Sequence, residues 1–250
     1  MAPLRRRRLA DLRARIAGLE QMGRPRCPVL PFGIPAIDRH LPQGGLPGGA
    51  LHEIWGDGSD AAQGAAAALF IAGILARREG PVLWCLRARD LFAPALAGVG
   101  LHPDRVLYAE TGDEKIMPVC LEEGLRCTGL AGVIGEVSRL AMTASRRLQL
   151  AAEASGVVAF VIRRDPRGDA GLAEPSAAVT RWRIGVAPSS PLLAPGVGRA
   201  RWRIELMRCR AGEGAAWEVE ACDAQGRLAL VAELADRSAA PAKERRRAFA

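Results

Sequence analysis

The chain has 250 residues, of which 49% are hydrophobic and 25% are charged, the balance of an ordinary globular protein. A chain of this length forms one large domain or two small ones and can bury a large core. No apolar run approaches the roughly 18–20 residues that a membrane-spanning helix needs. The arginine-rich N-terminus also lacks the apolar stretch of a signal peptide. These features argue against a membrane or secreted protein.

The cysteines favour a reducing compartment. No two of the six are spaced as CxxC, and several lie inside apolar runs: Cys27, Cys85, Cys120, Cys127, Cys209 and Cys222. This pattern argues against a zinc module or a disulfide scaffold. We therefore expect a cytoplasmic protein that holds no metal.

The net charge is basic, with 35 Lys and Arg against 27 Asp and Glu, which gives +8. A basic excess is typical of proteins that bind nucleic acid or an acidic partner. A compositional bias explains it equally well, because nearly all the basic residues are arginine and Asp and Glu are scattered among them. Charge alone leaves both interpretations open.

The N-terminus predicts a basic amphipathic helix over residues 4–22, with arginines opposite an apolar stripe of Leu4, Leu9, Leu12, Ile16 and Leu19. A proline-rich stretch follows and cannot be helical. Residues 1–24 are therefore expected to form a helix and the start of a linker. This helix either packs on the main domain or is an arm that contacts DNA or a partner, in which case the candidate contacts are Arg5, Arg6, Arg8 and Arg13.

Residues 25–236 are expected to form the main domain, and its first part predicts an α/β fold. Apolar runs rich in β-formers predict strands at 50–55, 81–86, 105–109, 131–137 and 157–162. Helical periodicity between them predicts helices at 61–78, 90–99, 113–128 and 138–155. This alternation indicates a parallel sheet with helices on both faces.

The pattern changes after residue 162 to alternating strands near 178–187, 200–209, 216–222 and 227–233. The DAQG sequence at 223–226 predicts a hairpin turn. An antiparallel extension is therefore expected on the C-terminal side. Residues 237–250 form a charged tail that we expect to be disordered.

The turn after the first long strand has the position of a phosphate-binding loop. It is glycine-bearing, with Gly56, Gly58 and Gly64, and it is expected to run into a helix. A working loop has the pattern GxxxxGK[ST], in which amides cradle phosphates, lysine neutralises them and Ser/Thr holds Mg²⁺. Here the glycine spacing differs, and Ala65 and Ala66 replace the lysine and the hydroxyl. The motif is therefore interpreted as a degenerate loop that binds no cofactor.

The opening of the domain resembles the RecA recombinase core. It has a glycine phrase with Gly33, Ile37 and Asp38, followed by GGLPGG at 44–49 and the strand that leads to the loop. More closely, the chain resembles the ImuA family, the RecA-like accessory proteins of bacterial SOS mutagenesis cassettes. The shared features are the basic N-terminal helix, LPFG-x-x-x-ID, GGLPGGALHE, CLRARDLFAP and VEACDAQGRLALVAELADR. The resemblance covers roughly residues 30–235 and implies a RecA-like core with flanking helices.

The resemblance also bears on catalysis. RecA-type ATPases carry a catalytic glutamate after the second strand, where this chain has Arg89. The Walker B position at the end of the fourth strand has Glu136 in place of aspartate. With lysine, hydroxyl and glutamate all replaced, we expect no enzyme activity, because losing one such group typically costs several kcal/mol of transition-state stabilisation.

Several arginines are candidate contacts for DNA or a protein partner. The loops after the fourth and fifth strands of a RecA-like core face DNA, and other arginines flank Trp182 and Trp202, which are expected to point inward. The candidates are Arg163, Arg164, Arg167, Arg181, Arg183, Arg201 and Arg203. Any DNA binding is expected to be weak and sequence-independent.

The ImuA resemblance implies a scaffold role in DNA-damage-induced mutagenesis and translesion synthesis. The implied partners are an ImuB-like relative of Y-family polymerases and an error-prone replicative-type polymerase, with RecA as a further partner. Two alternatives remain: a RecA/RadA-like ATPase with an unorthodox nucleotide loop, and a SulA-like inhibitor of cell division in the SOS response.

Overall fold

A computed structural model describes residues 27–57, 60–164, 174–189, 196, 198–210 and 212–231. Several sequence-based expectations lie outside these residues. They are the helix at 4–22 with Arg5, Arg6, Arg8 and Arg13, both expected domain boundaries, the tail at 237–250, Gly58 and Arg167.

The described residues build one nine-stranded sheet and a separate two-stranded pair. The small antiparallel pair is β1 (Val29–Leu30) with β2 (Leu46–Pro47). The large sheet contains β3 (Leu51–Gly56), β4 (Val82–Leu86), β5 (Val106–Glu110), β6 (Gly132–Val137), β7 (Val158–Arg163), β8 (Thr180–Ala187), β9 (Arg201–Cys209), β10 (Ala215–Glu220) and β11 (Ala229–Leu230).

The strand order is β5-β4-β6-β7-β3-β8-β9-β10-β11. Strands β5 through β8 in this order are parallel. Strands β8 to β11 are antiparallel neighbours. The expected parallel core with an antiparallel C-terminal extension is therefore confirmed, and the predicted hairpin turn lies between β10 and β11.

Five α-helices accompany the sheet in the described residues: α1 (Pro35–Asp38), α2 (Asp60–Ala76), α3 (Ala93–Gly98), α4 (Met117–Leu125) and α5 (Met142–Ser155). Helices α3 and α4 begin later than predicted, with Pro94 and Pro118 in their first turns, where proline is tolerated. Helix α5 also begins late, because the Ser138 and Arg139 amides donate to the Glu114 carboxylate instead of entering a helix. Gly156 ends α5 at φ 79°.

Two apolar clusters hold the layers together. Helix α2 packs against the sheet through Phe70, whose ring lies 5.9 Å from Trp182 and 6.5 Å from Trp202 between centroids. Both tryptophans are buried, which confirms that they point inward. On the opposite face, α4 and α5 bury Leu121 and Leu148 against β6, β7 and the start of β3. None of the described helices is long and apolar enough to span a bilayer.

His52 is a buried structural histidine, as the strand pattern predicts. Its Nε2 lies 3.0 Å from the Pro47 carbonyl oxygen, which only accepts, so Nε2 carries the proton. Its Nδ1 lies 2.7 Å from the Thr180 hydroxyl and accepts from it. Burial lowers the pKa of His52 from 6.5 to about 4, so the neutral ring is the form that fits the fold.

Stability should therefore fall with acid through His52. Between pH 6.5 and pH 4, His52 is protonated in the unfolded chain and neutral in the folded protein. The free energy of unfolding therefore falls as the pH falls through this window. The loss at pH 5 relative to pH 7.5 is about 2 kcal/mol by linkage. Urea unfolding of wild type and His52→Gln at both pH values measures it. The variant should show a smaller pH dependence, and an unchanged dependence would contradict this assignment.

Candidate functional site

The carboxyl ends of the parallel strands are the place where an open α/β sheet normally binds ligands. Connections diverge there, because β4 leads to α3 on one face of the sheet and β6 leads to α5 on the other. The degenerate phosphate loop, the Walker B position and the position of the missing catalytic glutamate all lie at this edge. Their geometry shows what the edge can bind.

The predicted phosphate loop is shorter than the sequence suggested. Strand β3 ends at Gly56 and α2 begins at Asp60, so only positions 57–59 connect them. The expectation that Gly64 belongs to the loop was wrong, because Gly64 lies in the second turn of α2, followed there by Ala65 and Ala66. Amides beyond the first turn of a helix bond within the helix and cannot cradle phosphates.

The residue after β3 also opposes phosphate binding. The Asp57 amide donates to the Ile184 carbonyl oxygen at 2.9 Å, which ties this position to β8. The Asp57 side chain lies against Gly185, where an added Cβ would meet its carboxylate at 3.1 Å. A carboxylate at this point repels a triphosphate rather than neutralising it.

The Walker B position is occupied by an internal ion pair. Glu136 is the penultimate residue of β6 and has no exposed surface. Its Oε1 accepts a hydrogen bond from Trp84 Nε1 at 3.2 Å, and its Oε2 lies 3.2 Å from Arg164 Nε. Arg164 also binds Asp90 at 2.5 Å, which links the ends of β4, β6 and β7. The carboxylate that would serve a metal is thus bound by an indole and a guanidinium.

Arg89, at the position of the catalytic glutamate, faces solvent. Its side chain is 81% exposed and its Nε lies 2.6 Å from Glu110 Oε2 of the neighbouring strand β5. The hydrogen bond that Arg89 donates to the Glu110 carboxylate raises the pKa of the Arg89 guanidinium. A permanently charged donor in this place cannot activate water as a glutamate does.

A second buried cluster includes Trp55 and Arg163 at the carboxyl ends of β3 and β7, together with Glu53 inside β3 and Arg181 at the start of β8. The Trp55 ring lies between two guanidinium groups, with Arg163 Cζ and Arg181 Cζ each 5.4 Å from its centroid. Arg163 binds Glu174 at 3.0 Å, and Arg181 binds Glu53 at 3.2 Å. Cation–π contact and ion pairing together compensate these buried charges.

Glu174 joins this cluster to the loop after β6. Its carboxylate accepts from Arg163 and, at 2.9 Å, from Arg139. The hydrogen bond from Arg163, followed by that from Arg139, lowers the pKa of Glu174. Glu53 is held by the Ser176 hydroxyl at 2.5 Å as well as by Arg181. The cluster therefore pairs its charges within the chain, although Trp55 Nε1 and Arg163 Nε and Nη1 are buried without a hydrogen-bond partner among the described residues.

The structure changes the interpretation of three predicted contact residues. Arg163 and Arg181 are buried, and the Arg164 side chain is only 10% exposed. Their guanidinium groups bind internal carboxylates, so they do not present free charge to DNA, contrary to the expectation for them. The alternation of polar and apolar residues predicts which face of a strand a side chain lies on. It does not predict that Arg163 and Arg181, on the polar face, are buried as well.

The remaining predicted arginines lie on the face of β8 and β9 that faces away from α2. No described helix packs on this face. Arg183 pairs with Glu205 at 3.6 Å. The other two lie opposite glutamates of β10, with Arg203 opposite Glu218 and Arg201 opposite Glu220. Each predicted contact on this face therefore has an acidic neighbour. Arg203 is exposed, whereas Arg183 and Arg201 are partly buried.

Sequence reasoning missed Trp55, Glu53, Glu174 and Asp90. A signal exists for Glu53, since an acidic residue inside an apolar parallel strand needs a buried cation. The other three reach their partners only through the tertiary fold. In the part of the chain that the structure describes, no cluster of His, Cys, Asp or Glu could hold a metal ion.

The Glu136–Arg164 pair generates a stability prediction. Arg164→Met leaves the buried Glu136 carboxylate without its guanidinium, which should cost about 3–5 kcal/mol. Combining it with Glu136→Gln should recover part of the loss, because no charge then remains buried. Urea unfolding of the single and double variants measures this coupling. Arg89→Met, which breaks an exposed pair, is the control and should barely move the midpoint. Equal losses in the single and double variants would contradict the pairing.

Comparison with known proteins gives three findings. No protein-family model matches the chain. Protein ImuA from two strains of Caulobacter vibrioides is 40% identical over 233 residues, which cover 88% of this chain and 96% of the relative. A solved KaiC-like protein of Pyrococcus horikoshii OT3 matches with a TM-score of 0.52 at 11% identity, covering 82% of this chain and 99% of that chain.

The two similarities bear on different questions. At 11% identity the KaiC-like structure shows the fold alone, and it confirms the RecA-like α/β architecture expected from the GGLPGG phrase. The Caulobacter relatives align with nearly the whole chain at an identity that shows common descent. The chain therefore belongs to the ImuA family.

Proposed function

We propose that this protein is a non-catalytic RecA-like accessory protein that acts in DNA-damage-induced mutagenesis and translesion DNA synthesis. Membership of the ImuA family supports the proposal. The observation that carries its non-catalytic part is the internal ion pair at the Walker B position. Glu136 is bound by Trp84 and Arg164 where a RecA-type ATPase keeps a carboxylate for its metal.

The geometry of the phosphate loop supports the same proposal. Ala65 and Ala66 lie within α2, where the motif has a lysine and a hydroxyl, so these two positions supply no cation and no metal ligand for a triphosphate. The alternative of an unorthodox RecA/RadA-like ATPase would need another cation at this edge. The nearby guanidinium groups of Arg163 and Arg164 are already bound to Glu174, Glu136 and Asp90.

The protein would act by scaffolding through its recombinase-like surface. The proposed partners are an ImuB-like relative of Y-family polymerases and an error-prone replicative-type polymerase, with RecA as a further partner. Arg183, Arg201 and Arg203 remain candidate partner contacts, with weak DNA contact secondary because glutamates lie beside them. A SulA-like role is disfavoured, because the similarity to ImuA extends over 96% of the relative.

Purified protein should show no ATP hydrolysis above a buffer blank, with or without single-stranded DNA. The physical reason is the loss of the lysine, the Mg²⁺ hydroxyl and the catalytic glutamate together. Steady-state phosphate release measures it, with a RecA recombinase as positive control. ATP hydrolysis that is present in the wild type and is lost in Glu136→Gln or Asp57→Asn would contradict the non-catalytic assignment.

The cellular role has a separate test. Deleting the gene in the source bacterium should reduce ultraviolet-induced mutation to the level seen without the error-prone polymerase, while cells still elongate normally after damage. Counting induced drug-resistant colonies and measuring cell length give the two readouts. Complementation with Arg89→Met, a change at an exposed pair, should restore mutagenesis. Undiminished mutation with a loss of elongation would instead favour the SulA-like alternative.

A further inference from the structure

Helices α4 and α5 leave an apolar groove between them on the outer surface. The groove has a volume of about 510 Å³ and lies beside the C-terminal half of α5. Its apolar lining comes from Leu125, Leu150, Ala151 and Ala154. Leu150 is 64% exposed and supplies the largest accessible apolar side chain of this lining.

The rim of the groove is polar and internally paired. Glu122 of α4 binds Arg126, the residue after that helix, at 3.2 Å, and it binds Arg147 of α5 at 2.5 Å. The second of these ion pairs connects the two helices beside the groove. The apolar floor with a charged rim fits an amphipathic helix, which brings an apolar stripe and a polar outer face.

The described chain begins next to this groove. Cys27 contacts the residue that ends α5, since a Cβ built on Gly156 would lie 3.7 Å from Cys27 Sγ. The Gly49 amide donates to the Gly156 carbonyl oxygen at 3.1 Å and fixes this corner. Ala154 and Ser155, which line the groove, immediately precede Gly156. The segment preceding Cys27 is therefore attached beside the open end of the groove.

We propose that residues 4–22, outside the described residues, dock as an amphipathic helix into the α4–α5 groove of their own chain. The stripe of Leu9, Leu12, Ile16 and Leu19 would cover Leu150 and the alanines of α5. Residues 23–26 can span up to about 13 Å. The α5 residues that line the groove run from Arg147 to Ser155, about 12 Å, so about two turns of the 19-residue helix would cover it.

Docking decides between the two interpretations that the sequence leaves open for this segment. In the docked arrangement the apolar stripe would be used within the chain and would not be available to an external partner. The inference rests on the groove and the chain path, so it stands or falls independently of the proposed cellular role.

Protection of a thiol in the groove tests the proposal. Leu150→Cys is introduced into a full-length Cys127→Ser background, and its maleimide labelling rate is measured after subtracting the background cysteines. We expect labelling at least tenfold slower in this chain than in one that also carries Leu12→Asp and Ile16→Asp. The matched control is Ala10→Asp with Ala14→Asp, which adds the same charge to the opposite side of the helix and should keep the protection.

Each other outcome overturns the proposal. Equal labelling rates in all three chains would show that the groove is open. Loss of protection with Ala10→Asp and Ala14→Asp would show that added charge, and not the apolar stripe, governs it. Protection that disappears on hundredfold dilution would assign the groove to a second copy. Trypsin cleavage at the N-terminal arginines is a second readout, and Leu150→Asp should accelerate it while Leu107→Asp, at an exposed leucine of β5, should not.

Discussion

Glu136 and Arg164 face each other at the carboxyl ends of β6 and β7, where neither charge could stay buried without the other. Removing a carboxylate or a guanidinium from water costs several kcal/mol, and only a close partner with further hydrogen bonds offsets that cost. Trp84 and Asp90 supply those bonds. Trp84 lies in β4, Glu136 lies in β6, and Arg164 directly follows β7. Their contacts therefore also fix the positions of these strands relative to one another.

In a nucleotide-binding sheet of this architecture, the metal and phosphates supply charges that the edge must neutralise. Here the chain supplies both signs itself. The Trp55 cluster repeats the arrangement at the next strands, where Arg163 and Arg181 bind Glu174 and Glu53. An edge neutralised from within needs no ligand to become stable. The altered sequence motifs at this edge are therefore compatible with a stable RecA-like fold.

The parallel core was predictable because its strands are continuous apolar runs. The strand expected at 50–55 is observed as Leu51–Gly56, and the others agree similarly. The candidate site was less predictable. The alternating pattern predicted which face of β8 carries Arg181, but it did not predict that this side chain is buried. Glu174 is eleven residues from Arg163 in the sequence, and only the fold brings the two together. The helix predicted at 61–78 already contained Gly64, so the periodicity gave its helical state correctly and the glycine spacing, which assigned Gly64 to the loop, did not.

The distribution of charge bears on the basic character of the chain. Residues 27–231 carry 22 basic and 22 acidic side chains, so this body is formally neutral. Residues 1–26 carry eight arginines against two acidic residues, a net charge of +6, and residues 232–250 supply the other +2. Composition alone could not locate the excess. Because salt-sensitive attraction to nucleic acid or an acidic partner follows local charge, such attraction should arise from the terminal segments and not from the sheet.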